Sequence, residues 1–281
     1  MTHTLPGSLP AVETLVELVR GGEVVVLSGA GISTESGIPD YRGPSGAAQR
    51  HTPMTYQTFT KDDRARQRYW ARSFLGWRTI VSAAPNDGHR AVARLAAAGL
   101  VAQVITQNVD GLHQAAGAPN VIELHGALDR VACLDCGARS PRRELDHRLR
   151  AANPHFGGEF TEIHPDGDVN LPDHQLDGFA LVDCVSCGGV LKPDVIFFGE
   201  TVPGDRVASC YEAVDKARLL LVLGSSLTVY SGRRFVVRAV KAGIPVAIVN
   251  QGPTRSDEYA AIRLDAPLGP TLTDLAAHFA A

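Results

Sequence analysis

Four short apolar runs, separated by segments of helical period, leave this chain few folds to choose from. Glu23-Val-Val-Val-Leu27, Leu100-Val-Ala-Gln-Val-Ile105, Arg218-Leu-Leu-Leu-Val-Leu223 and Ile244-Pro-Val-Ala-Ile-Val249 are continuous rather than alternating. Such runs suit parallel strands buried on both faces. Around them, Val12, Leu15, Val16 and Val19 follow the i, i+3, i+4, i+7 spacing of an amphipathic helix. Val92, Leu95 and Ala96 mark a second helix, and residues 233–241 a third. Strands alternating with helices predict an α/β fold: a Rossmann-like parallel sheet with helices on both faces.

Two stretches interrupt the alternation. Residues 46–84 are polar with interspersed aromatics (Tyr56, Phe59, Tyr69, Trp70, Phe74, Trp77) and read as helical. Residues 126–192 carry many turn formers and little periodicity. Both are expected to be insertions forming one smaller domain. Residues 1–45, 85–125 and 193–281 then make the sheet domain.

Four of the five cysteines fall into two C-x-x-C pairs, Cys133/Cys136 and Cys184/Cys187. In a reducing compartment this pattern reads as metal ligation. Two pairs close a tetrahedral four-thiolate site with no open position, so the expected ion is one structural zinc. The 47 residues between the pairs exceed the usual ribbon spacing of roughly 15–20. Gly137 and Gly188 follow the pairs as knuckle turns require, and residues 153–183 read as a surface excursion. Cys210 reads as a small buried hydrophobe.

A net charge of −3 disfavours a standing role on nucleic acid, and Asp135, Asp166, Asp168 and Asp173 argue against a nucleic-acid-binding ribbon. No run approaches the ~20 apolar residues of a membrane span. Glu13 and Glu17 fit a transit peptide badly, and no secretory signal is visible. The cytoplasm is the expected compartment.

Ser28-Gly-Ala-Gly-Ile-Ser33 follows the first strand directly. Glycines there permit a tight turn and close approach of a phosphate to backbone N–H groups. Thr34 replaces the third glycine of the dinucleotide fingerprint, and no acidic ribose ligand follows about twenty residues on, which disfavours a dehydrogenase. A ligand-free strand-to-helix turn is the plain alternative.

The segment Gly29-Ala-Gly-Ile-Ser-x-x-Ser-Gly-Ile-Pro-Asp-Tyr-Arg42 resembles the sirtuins. Gln107-Asn-Val-Asp110, Leu124-His-Gly126, the four cysteines, Lys192-Pro-Asp-Val-Ile-Phe-Phe-Gly-Glu200, Gly224-Ser-Ser226 and Asn250-Gln-Gly252 follow in the family's order. Arg66-Gln-Arg-Tyr-Trp-Ala-Arg72, the segment from Gly224 to Gly232 and that from Gly252 to Asp257 are similar to the class II branch, typified by mitochondrial sirtuin 4.

That resemblance implies an NAD-dependent protein-lysine deacylase, with NAD as co-substrate and acylated lysine on proteins or peptides as partner. Such enzymes release nicotinamide and O-acyl-ADP-ribose, and need a base for a ribose hydroxyl. His125 matches that base. Asn108 matches the residue orienting ribose and a water, and Asp110 the one holding the nicotinamide carboxamide; an Asx turn is the plain reading of both. Gly29, Ala30, Gly31 and Ser33 match the phosphate turn, Tyr41 and Arg42 the mobile loop, and Gln107 a ribose contact. Gly224, Ser225 and Ser226 match further phosphate or ribose contacts. Asn250, Gln251, Gly252 and Leu268 match the adenosine end. Ile196 and Phe198 match the segment that pairs with the peptide and lines the acyl-lysine tunnel, while Val195 and Phe197 read as core. Where the family often has Val-x-Pro, Val229-Tyr-Ser231 stands here.

Tyr69 and Arg72 are three apart on a predicted helix and share one face. They resemble the class II pair that receives acidic acyl chains, though Arg72 also reads as an ordinary surface charge. Protein ADP-ribosyl transfer is the alternative activity.

Overall fold

The computed structural model describes residues 11–41, 53–157, 164, 166–172, 175–176 and 178–280. Its larger sheet is wholly parallel. β1 (Val24–Ser28) is flanked on one side by β2 (Val101–Thr106) and β3 (Val121–Glu123), and on the other by β7 (Leu219–Leu223), β8 (Val246–Val249) and β9 (Ile262–Leu264). Val26 lies opposite Val104 on one edge and Leu221 on the other. The order reverses at β1/β7, the crevice where open α/β sheets bind ligands.

The apolar runs divide between two cores, as the two-residue period of a strand requires. Val24, Val26, Leu219, Leu221, Ala247 and Val249 face α1 (Ala11–Arg20), α4 (Asp87–Ala97) and α9 (Leu268–Ala277). Val25, Leu27, Leu220, Val222, Val246 and Ile248 face α7 (Gly204–Lys216) and α8 (Tyr230–Lys241). Cys210 is fully buried in this second core.

A second, smaller core holds described residues from both interrupting stretches, and its strand β6 (Leu191–Val195) runs past the expected boundary at 192. α2 (Tyr56–Lys61) and α3 (Asp63–Ser82) are capped by Thr55 and Asp62, whose side chains accept from the Thr58 and Ala65 N–H groups. They pack on an antiparallel sheet of β5 (Arg139–Pro141), β4 (Gly126–Cys133) and β6 (Leu191–Val195). Trp70 Nε1 donates to Leu191 O across this junction at 3.1 Å.

Three local expectations are revised. α6 (Arg142–Ala152) lies between the cysteine pairs, where no helix was expected, and buries Leu145 and Leu149. Its Arg142 guanidinium is buried between the Trp70 and Trp77 rings, 5.3 and 5.2 Å from their centres. The spacer is not merely a surface excursion, because Val169, Leu171, Leu176 and Phe179 are buried in the small core. Finally, α8 begins at Tyr230 rather than near 233, with extended Val229 as its N-cap.

Candidate active site

β1, β2, β7 and β8 all end at one cleft of about 810 Å3. The turns after β1 and β7 touch backbone to backbone. A Cβ on Gly29 would sit 2.8 Å from Gly224 O, and one on Gly31 2.9 Å from Gly224 Cα. Gly224 itself has φ +60° and would press a Cβ to 2.6 Å from Ile32 N. Only glycine lets these turns meet and leave the cleft open above them.

Every candidate cofactor residue within the described residues lines this cleft. Gly29, Ala30, Gly31, Ser33 and Tyr41 come from the first turn, and Gln107, Asn108 and Asp110 from the end of β2. Gly224, Ser225 and Ser226 follow β7; Asn250, Gln251 and Gly252 follow β8; Leu268 opens α9. Arg42 lies outside the described residues. The cleft thus offers glycine turns for a phosphate, amides and hydroxyls for ribose, and an apolar Leu268, so its donor set fits NAD.

A connected polar chain sets the geometry. Asn108 Nδ2 donates to Gly29 O at 3.1 Å and to Ser33 Oγ at 3.0 Å; Ser33 Oγ donates to Asp110 Oδ2 at 2.7 Å. Burial pushes the Asp110 carboxyl above its ordinary range, against the opposing hydrogen bonds from Leu112 N–H and the Ser33 hydroxyl. Gln107 Nε2 donates to Ser225 Oγ at 3.0 Å. Beneath them, Ser28 Oγ bonds Thr106 Oγ1 and the Nε2 of His113, a residue of the short helix α5 (Leu112–Ala115). Thr106 Oγ1 also accepts from Asn108 N–H.

His125 sits between β3 and β4. Its Nδ1 lies 3.0 Å from Gln107 O and its Nε2 2.8 Å from Ser231 Oγ. A carbonyl only accepts, so Nδ1 carries the proton and Nε2 keeps its lone pair. Burial lowers its pKa to about 4, opposed by the Gln107 hydrogen bond and reinforced by Arg206 and Arg234. At neutral pH the imidazole is an uncharged acceptor in the cleft.

The opposite wall is Ile196 and Phe198, with Phe198 exposed and Val195 and Phe197 buried. Ile196 N–H donates to His125 O at 2.8 Å, and Tyr56 N–H to Phe198 O at 2.9 Å. Phe197 exchanges bonds with Glu200, whose carboxylate accepts its N–H at 2.8 Å. Buried Lys192 pairs with Glu200 at 3.1 Å and lies 4.7 Å from the Phe197 ring centre. The main chain of this wall is therefore more firmly tied than an empty sheet edge.

Tyr69 and Arg72 do not line the cleft. Tyr69 is buried behind it, edge-on to Phe59 and Phe197. Arg72 turns toward the spacer, donating to Leu171 O at 3.2 Å with Asp168 at 4.0 Å. Residues missed in the sequence include Ser231, Arg234, Asp166 and Thr228, all on the cleft. Only the departure of Val229-Tyr-Ser231 from the family pattern signalled any of them.

Away from the cleft, the four cysteine Sγ atoms lie within 4.8 Å of one another. Cys133 and Cys187 are 3.5 Å apart, Cys136 and Cys184 3.8 Å. A tetrahedral ion with Zn–S bonds of about 2.3 Å needs sulfur separations of about 3.8 Å, so the set fits zinc. All four thiolates would be ligands, which makes the ion structural.

Comparisons with known proteins agree with this arrangement. The family profile described as "Sir2 family" matches residues 29–231. The chain is 60% identical over 272 residues to the NAD-dependent protein deacetylase 1 of Streptomyces coelicolor, covering 97% of this chain and 91% of that protein. It is 48% identical over 250 residues to the NAD-dependent protein deacetylase of Bordetella bronchiseptica, covering 89% and 91%. A solved Sir2 complex with p53 peptide and NAD+ superposes with a TM-score of 0.76 at 29% identity, covering 95% of this chain and 98% of that one. With a matching profile over most of its length and a shared fold, the chain belongs to the Sir2 family.

Proposed function

We propose that this protein is an NAD-dependent protein-lysine deacylase that removes acetyl groups, releasing nicotinamide and O-acyl-ADP-ribose. The observation that carries the reading is His125. It is a neutral imidazole with a defined tautomer, its lone pair facing the same cleft as Asn108 and Asp110. It serves as the base for a ribose hydroxyl. The first-turn residues hold the diphosphate, Gln107 and Asn108 the ribose, and Asp110 the carboxamide. Gly224, Ser225 and Ser226 hold further phosphate or ribose oxygens; Asn250, Gln251, Gly252 and Leu268 take the adenosine end. Ile196 and Phe198 form the wall for the acyl-lysine. The deacetylase names of its relatives support this over ADP-ribosyl transfer to protein.

A finer reading concerns the acyl group. Tyr69 Oη and Arg72 Nε are both buried without a hydrogen-bond partner among the described residues. Those open polar atoms favour a carboxylate-terminated acyl chain as occupant and a place in the class II branch, although neither side chain lines the cleft as it stands. Asp168, already beside Arg72, opposes it.

One panel tests both. Acetyl-, succinyl- and glutaryl-lysine peptides with NAD are assayed for nicotinamide release, with product masses measured, on the parent, His125→Ala and Arg72→Met proteins. Deacetylation that disappears in His125→Ala is expected; near-normal turnover by that variant refutes the base. A loss confined to acidic acyl groups in Arg72→Met, about ten- to a hundredfold for one hydrogen bond to a charged group, is the signature of the finer reading. Equal losses on all acyl groups refute it.

A further inference from the structure

Ser231 stands at the point where this chain departs from the family's Val-x-Pro, and its hydroxyl lies 2.8 Å from His125 Nε2. That nitrogen has one in-plane lone pair, and it is the one the base must use. With Nδ1 protonated toward Gln107 O, the resting hydrogen bond runs from the Ser231 hydroxyl to Nε2.

The contact is held by packing. Ser231 is in the first turn of α8, where the N–H groups of Gly232 and Arg233 both bond Val229 O. A Cβ on Gly232 would sit 2.3 Å from Gln107 Oε1. The absent side chain lets the turn lie against Gln107, whose main-chain oxygen holds the other imidazole nitrogen. Both partners of His125 therefore belong to one packed unit.

The electrostatic surroundings give the hydroxyl something to do. Arg206 of α7 and Arg234 of α8 are the charged groups whose fields reach the ring, and both oppose a positive charge there. The imidazolium must form in a buried site facing two guanidinium groups. A hydroxyl can donate to the neutral ring and, by turning its hydrogen, accept from the charged one.

We propose that Ser231 is a positioning residue for His125, one that donates to the resting imidazole and accepts from Nε2–H once the base has taken the ribose proton. The inference rests on the reading of His125 as base. The ribose O–H bond breaks, an Nε2–H bond forms, and Ser231 keeps its own proton throughout. A hydrogen bond to a charged group is stronger than one to a neutral group, so losing Ser231 disfavours the imidazolium and weakens the base.

Full-length Ser231→Ala and Ser231→Thr proteins are assayed with acetyl-peptide and NAD from pH 3 to 9, a range that reaches the His125 titration, beside His125→Ala. Ser231→Ala is expected to lose about tenfold in kcat, with KM for NAD within about twofold. The acidic limb of its profile should move about one unit lower, the equivalent of that factor. Ser231→Thr should restore both. The His125 ring titration, followed by NMR in carbon-labelled histidine protein, should move the same way independently of turnover. An unmoved limb and ring titration, or failure of Thr to rescue, overturns the proposal while an inactive His125→Ala leaves the base assignment standing. An active His125→Ala overturns both.

Discussion

Gly126 couples the base to the substrate wall through the main chain, and replacing it with alanine tests that coupling. It follows His125 directly, has φ +80°, and would place a Cβ 2.0 Å from Asp194 O and 3.1 Å from Val195 Cα. Relieving the first contact requires β4 and β6 to separate by about 1 Å. The His125 O to Ile196 N–H bond, now 2.8 Å, lies inside that gap and would break. A left-handed alanine costs about 1–2 kcal/mol, and the lost bond about 1 kcal/mol more. The sum, about 3 kcal/mol, corresponds to a fall in Tm of roughly 6–12 °C for a protein of this size. Displacing a catalytic group by 1 Å costs on the order of a hundredfold in rate. Gly117 is the control: its φ is +88°, yet no atom lies within 4 Å of an added Cβ. Gly117→Ala should carry the left-handed cost alone and leave kcat unchanged. Thermal melts and nicotinamide release measure both. The reasoning fails if Gly126→Ala melts and turns over like Gly117→Ala.

Two further outcomes are expected. The protein should carry one zinc per chain, and because metal binding and local folding are coupled, stripping it should loosen the small core. The chain's two tryptophans, Trp70 and Trp77, both sit there, so a red shift in their emission reports the loss; unchanged spectra after verified metal removal would refute it. His89, His113 and His125 are held neutral, burial lowering them to about 3, 4 and 4 from an ordinary value near 6.5. Below about pH 6.5 the unfolded chain binds more protons, so stability present above that value is lost as pH falls, with a limiting slope of about 4 kcal/mol per pH unit for three groups. Tm should fall by more than about 10 °C between pH 7 and 5; a flat Tm over that interval would show the imidazoles charge freely in the folded state.

The parallel sheet was legible because β1, β7 and β8 are buried on both faces, so their apolar runs needed no context. The cleft was legible for a similar reason. Gly29 to Ser33, Gln107 to Asp110 and Leu124 to Gly126 are local segments at strand ends, where topology alone brings them together. α6 was hidden by its own charges: Arg142, Arg143, Glu144, Asp146, His147, Arg148 and Arg150 obscure Leu145 and Leu149, and burying Arg142 between two indoles is a tertiary event. The helical period sets Tyr69 and Arg72 three apart on α3, but the neighbours they meet depend on residues about a hundred positions away. The Ser231–His125 contact spans 106 positions, and no local pattern encodes a distance of that kind.

The position of β1 in the sheet also sets a timetable for biosynthesis. One of the strand's two partners, β7, leaves the ribosome about 195 residues after it. At elongation rates of about 5–20 residues per second, that edge waits roughly 10–40 s. During that interval Val-Val-Val-Leu-Ser presents unpaired N–H and C=O groups on an apolar ribbon, a template for pairing with another nascent chain. Prematurely terminated products that include β2 but stop before residue 219 keep this edge unpaired, which makes them prone to aggregate and suited to a chaperone that recognises extended apolar segments.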